Sequence, residues 1–263
     1  MESRNPVFAR ADVMSGAGRT ASAGIDAASI GQLEQAYAGP SAGPLQTGRM
    51  TYNDVIMRTG MTFGVLVVGA VVGWFAPQLF WIGFIVGLVL GLVNAFKREP
   101  SPALIIAYAA FMGVGLGGIS LVFQSQWQGI VQQAVLGTLA VFAVALFAYR
   151  SGRIRVTPKF QRMVIIGMLG YLAFSVVNLF IMLFGVTDSA WGLRSGWLGI
   201  AAGLIGVALA AFSLVLDFDF IDKGVANGIP EKYAWTAAFG LVVTLVWLYL
   251  ELLRLIAIFS GNE

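Results

Sequence analysis

The stretch WLGIAAGLIGVALAAFSLVLDFDFIDKG, Trp197 to Gly224, is uncharged from Trp197 through Leu216 and then gathers Asp217, Asp219, Asp222 and Lys223. At 1.5 Å per helical residue the uncharged part covers about 30 Å, the thickness of a bilayer's hydrocarbon core. It reads as a helix that crosses a membrane and finishes among acids. Six other blocks repeat the pattern at short intervals: Asp54 to Phe75, Leu79 to Phe96, Pro102 to Phe123, Ile130 to Tyr149, Met163 to Phe184 and Tyr233 to Phe259. With the block Trp197 to Asp217 they predict an all-α, polytopic membrane protein of seven transmembrane helices. Their short connections predict that neighbours in sequence are antiparallel neighbours in space.

The composition agrees. The chain of 263 residues is 58% hydrophobic and 11% charged, with a mean hydropathy of +0.83. That is too little polar surface to clothe a soluble globule of this size. It contains neither His nor Cys, which removes disulfides, zinc fingers, haem and iron–sulfur ligation and imidazole or thiolate catalysis. With no paired intramembrane acids either, we expect no enzyme and no cofactor. Any metal handled must be a hard one bound by oxygens, with Asp217 as the candidate ligand.

Residues 1–50 are rich in Gly, Ala and Ser and hold no apolar run of signal-peptide length, so they read as a disordered, uncleaved cytoplasmic tail ahead of a membrane domain over residues 51–263. Thr51 and Asp54 have the spacing of a capping box where the first helix begins. Basic residues are spread over short connections rather than gathered on a soluble face, which argues for membrane orientation and against nucleic acid. With the tail inside, the cytoplasmic segments carry nearly all the Lys and Arg, and the opposite loops carry only Arg194. This predicts an inner-membrane protein with N-terminus inside and C-terminus outside, and places Trp81, Trp127, Trp191 and Trp197 near the outer interface.

Acids in bilayer helices are the first candidates for function. At 100° per residue Asp219, Asp222 and Lys223 share a face, whereas Asp217 lies about 160° from Asp219, beside Ser213 and Leu214. Asp219 and Asp222 are expected to end the helix in water, with an Asp219–Lys223 pair. Asp217 is expected to face the bundle, where the helix C-terminus opposes its charge and it needs a donor, a cation or a proton. In the last block Gly240, Thr244, Trp247, Glu251 and Arg254 form one partly polar stripe. Thr244 and Glu251 either line a pathway, or Glu251 is neutralised by Arg254, which is expected to snorkel outward. Arg58, inside the first block, is a further charge partner. Gly113, Gly115, Gly117 and Gly118 predict close helix packing, and Tyr171, Ser175 and Asn178 predict interhelical hydrogen bonds.

Taken together, the third helix ending "LGGIS" (Leu116 to Ser120), the sixth helix ending at Asp217 and the run "LVWLYLELLRL" (Leu245 to Leu255) resemble the Bax inhibitor family. They resemble its bacterial YccA-like branch more closely. The openings "MESRNPVF" and "YRSGRIRVTPKF" (Tyr149 to Phe160) look like an actinobacterial-type subgroup. The resemblance runs from Thr51 to the C-terminus and implies a seven-helix fold with the last helix central. In the bacterial members it implies a pH-sensitive calcium leak, latched by an aspartate ending the sixth helix and another in the seventh that share a proton. Asp217 matches the first. One registration puts Thr244 at the second, another puts Glu251 there, and Met112 stands where the family has a third-helix acid.

The expectation is therefore an ion leak or ion-homeostasis protein, with calcium as the implied ion and Asp217, Thr244 and Asn178 as oxygen ligands. The alternative is a non-conducting membrane protein that regulates a partner such as a membrane protease.

Overall fold

The computed structural model describes residues 48–185 and 192–261. Seven helices fill them: α1 (Tyr52–Phe75), α2 (Phe80–Phe96), α3 (Pro102–Gln126), α4 (Ile130–Arg150), α5 (Pro158–Leu183), α6 (Gly196–Ala226) and α7 (Ala234–Ser260). All seven are long and apolar enough to cross a membrane, α2 when taken together with the turn Pro77–Leu79 that leads into it. Among the described residues there is no strand, only an isolated bridge between Arg49 and Pro230.

Several helix boundaries follow from local chemistry. The Thr51 hydroxyl accepts the Asp54 N–H at 3.2 Å and the Asp54 carboxylate accepts the Thr51 N–H at 2.9 Å, so the expected capping box starts α1. Helix α5 begins at Pro158, before the expected Met163. Thr157 caps it by accepting the Phe160 N–H at 3.2 Å, and a proline is tolerated in the first turn because its N–H would be unpaired anyway. Helix α6 runs on to Ala226, past the expected end at Asp217, and stops where Gly228 takes φ +61°. Asp217 therefore lies two turns inside the helix. The terminal dipole fades within one turn, so the expected opposition from the helix end does not act on it.

The N-terminal border also moves. Met50 donates its N–H to the Ile229 carbonyl at 2.8 Å, the Gly48 carbonyl accepts from Glu231 N–H at 2.8 Å, and the Met50 side chain is 1% exposed. The membrane body thus starts at Gly48. The expected disorder of the tail concerns residues 1–47, which lie outside the described residues, as does Trp191.

Helix α7 is central, as the resemblance implied. It packs on α1, α3, α4 and α6, and its apolar residues join each of the buried clusters: Leu241 and Leu248 with α4 and α6, Val242 and Val246 with α1 and α3, Leu253 and Ala257 with Phe123 and Ile130.

Helix α3 departs from expectation in a revealing way. Sequence neighbours α1 and α2 do not pack along each other, because α3 stands between them and contacts both. Its glycines give the reason. A Cβ at Gly113 or Gly117 would strike the Leu66 or Ala70 carbonyl of α1, and one at Gly115 or Gly118 would strike Phe84 or Phe80 of α2. Gly69 and Gly73 of α1 return the fit against Ala110 and Val114. Small residues on two faces let two neighbours approach one helix at backbone distance. In the same way α6 separates α4 from α5.

The ends of the helices alternate. Lys232 before α7 reaches Glu99 after α2, and Tyr149 at the end of α4 reaches Asp222 near the end of α6. At the other end Trp127, after α3, lies against Gly261, after α7.

Candidate functional site

Asp217 points from α6 at α7. The Thr244 hydroxyl donates to its Oδ2 at 2.8 Å, and this is its one hydrogen-bond donor among the described residues. Gly240, a turn before Thr244, lets the carboxylate settle on the α7 backbone, since a Cβ there would lie 3.2 Å from Oδ1. No ion pair reaches Asp217 among the described residues. The site is thus one half-buried carboxylate, one buried hydroxyl and a glycine that makes room for them.

Of the two residues the sequence left open, Thr244 is the one brought to Asp217. Glu251 stands seven residues further along α7, about 10 Å at 1.5 Å per residue. Its place is a separate cluster. Glu251 pairs with Arg254 and accepts from Trp247 Nε1 at 3.2 Å, and Arg194 Nη1 lies 3.8 Å from its other face. Arg254 also donates to the Tyr171 hydroxyl at 3.1 Å. The expected Glu251–Arg254 pair is present, but Arg254 does not snorkel outward: it is 8% exposed and Glu251 4%. Tyr171 of α5 and the backbone at Gly206 of α6 close over them.

Asn178 is not near Asp217. Its Oδ1 accepts the Leu193 N–H at 2.7 Å and its amide donates to the Met182 sulfur at 3.5 Å, so it anchors the end of the α5–α6 connection and supplies no ligand to the acid. Of the expected interhelical hydrogen bonds, Tyr171 makes one by accepting from Arg254 of α7, whereas Ser175 accepts from Arg194 and Asn178 from Leu193, both in the turn that leads into α6. Arg58 pairs with the Glu231 carboxylate and donates to the Glu231 carbonyl, with its guanidinium 5.5 Å from the Trp235 ring centroid. It ties α1 to the start of α7 and does not touch Asp217. Met112 is buried among α1, α2 and α7 side chains, and packs where the resemblance led us to look for an acid.

Asp219 and Lys223 pair at 2.6 Å, as expected. Asp222 does not end in water alone. It accepts from the Tyr52 hydroxyl at 2.9 Å and from the Tyr149 hydroxyl at 2.7 Å, joining α1, α4 and α6. Sequence spacing could not find this contact, since the partners stand 170 and 73 positions away.

The chemical capacity of the site is narrow. Among the described residues no three acidic, His or Cys side chains gather to hold a metal. Asp217 and Thr244 offer carboxylate and hydroxyl oxygens, which suit transient contact with a hard cation better than a cage of six or more ligands. A charged carboxylate at this position would attract a cation, and a protonated one would not.

Comparison with curated proteins finds no match. The family model described as Bax inhibitor 1 like matches residues 5–261. That match reaches into the tail, further than the resemblance from Thr51 onward had suggested. With a seven-helix body and an almost complete match, the chain belongs to the Bax inhibitor 1 like family.

Proposed function

We propose that this chain is a pH-sensitive cation leak of a bacterial inner membrane, with calcium as the ion and Asp217 as the titrating group. The observation that carries the reading is the Asp217–Thr244 contact: a carboxylate inside the bundle with, among the described residues, a single neutral donor and no fixed counter-ion. A cation approaching along the α6–α7 seam meets two carboxylate oxygens and the Thr244 oxygen. The hydroxyl keeps both lone pairs while it donates, so its oxygen can serve as a ligand without any movement of its helix. Protonation of Asp217 removes the charge and closes the attraction, so the flux falls as the medium is acidified. The chain carries no catalytic chemistry in this reading, and its N-terminus faces the cytoplasm.

Calcium entry into dye-loaded liposomes containing the purified protein tests this, with Asp217→Asn alongside. Flux that declines on acidification and is lost in Asp217→Asn supports it. The same pH-dependent flux in the variant sinks it. No flux at any pH moves the chain to the other reading, a membrane protein that acts by binding a partner such as a protease.

A further inference from the structure

The second polar cluster is out of charge balance. Arg194, Glu251 and Arg254 meet between α5, α6 and α7, two guanidiniums against one carboxylate. Arg254 and Glu251 are more than nine-tenths buried, and the Arg194 side chain is 13% exposed. Among the described residues the remaining contacts are neutral: Tyr171 OH and Trp247 N–H on the inner pair, Ser175 on Arg194, and the Tyr171 and Phe174 rings 5.0 and 5.4 Å from the Arg194 guanidinium carbon. The Nε–H groups of both arginines are buried and have no partner among the described residues. A buried charge without compensation is costly, most of all at membrane depth. Two guanidinium forks with unused donors fit an oxyanion. Arg254 stands six residues before the end of α7, about 9 Å along the helix, and Arg194 lies two residues before α6 begins, so the pair sits toward one end of the bundle.

We propose that Arg194 and Arg254 form a binding site for a phosphate-type oxyanion, either the phosphodiester of an anionic phospholipid or inorganic phosphate. Glu251 holds the two arginines in place and keeps the net charge of the cluster at one. This site is independent of Asp217 and does not depend on conduction.

The test uses the full chain in detergent micelles. Native mass spectrometry counts retained phosphatidylglycerol against phosphatidylcholine, and thermal melts are run against added inorganic phosphate. The wild type is expected to retain phosphatidylglycerol preferentially or to melt higher with phosphate, and Arg194→Gln to weaken that response on the order of tenfold. Arg194 is the safer substitution, because removing Arg254 strands Glu251 in the core. Glu251→Gln, where it folds, is expected to bind more tightly, which a purely structural role would not produce. A response to phosphate in phosphatidylcholine alone identifies a free anion as the ligand; a response to phosphatidylglycerol alone identifies the headgroup. The proposal is overturned if the wild type responds to neither, or if Arg194→Gln responds equally. It also fails if Arg153→Gln with Arg155→Gln abolishes the response, which would place the lipid at the opposite end. Asp188 is the one acid in the sequence between Phe184 and Ser195. Anion binding that emerges only in Asp188→Asn would show that the chain neutralises itself, and would overturn the proposal too.

Discussion

Asp217 and Glu251 are both acids inside apolar helices, and their surroundings give them opposite roles. Among the described residues Glu251 is over-supplied with cations, whereas Asp217 has a hydroxyl alone. The strength of that one bond reports the state of the acid. Neutral interhelical hydrogen bonds in bilayers are worth about 0.6 kcal/mol on average, and bonds to a charged acceptor about 1.5–3 kcal/mol. A double-mutant cycle of Asp217→Leu, which leaves no acceptor, and Thr244→Val, read from unfolding in micelles, measures the coupling. A value near the upper range is expected at alkaline pH, where the carboxylate is charged, and a smaller one after acidification. A coupling that stays near zero at every pH would mean the contact has no energetic meaning. Glu99 makes the contrast: the Lys232 hydrogen bond holds its carboxyl below the ordinary range, yet the pair is exposed and screened by water and salt. Glu99→Gln is therefore expected to leave the melting temperature unchanged, and its small pH effect would lie on the acid side, where a depressed carboxyl takes up its proton.

At the scale of the element, α3 explains both what was readable and what was not. The glycines of "MGVGLGGIS" announced close packing, because no other reading suits four glycines in one apolar helix. Which helices they meet was hidden, since loop length suggested that α1 would lie on α2 and no spacing rule links Gly117 to Ala70. The same blindness covered Asp222 and its two tyrosines. Asp217 was legible because an acid in an apolar run has to be explained locally, and the choice of Thr244 over Glu251 needed the packing of α6 on α7. The α3 contact predicts a pair of opposite outcomes. Gly117→Ala drives a methyl into the Ala70 carbonyl and should destabilise the protein by about 1–3 kcal/mol, the ordinary cost of overpacking. Gly64→Ala, on the exposed side of α1 with nothing within 4 Å, should be neutral or stabilise by up to about 1 kcal/mol through helix propensity. Equal effects at the two positions would remove α3 as the wedge.

The whole molecule is electrically two-sided, and that asymmetry predicts its orientation. Lys97, Arg98, Arg150, Arg153, Arg155, Lys159, Lys223 and Lys232 fall at the end where α2, α4 and α6 finish. The contacts from Lys232 to Glu99 and from Tyr149 to Asp222 fix those termini on one side. At the other end the described connections offer Arg194 alone, and it is turned inward onto Glu251. Positive residues in short loops resist translocation, so the basic end should face the cytoplasm. The chain has no cysteine, so a single introduced thiol gives an unambiguous signal. Gln128→Cys, exposed between α3 and α4, should react in intact cells with a membrane-impermeant maleimide. Ser151→Cys, exposed between α4 and α5, should react only after lysis. The reverse pattern would invert the protein, put the proposed oxyanion site in the cytoplasmic leaflet and turn the Asp217 end outward. Labelling of both thiols in intact cells would mean that the charge asymmetry does not set the orientation at all.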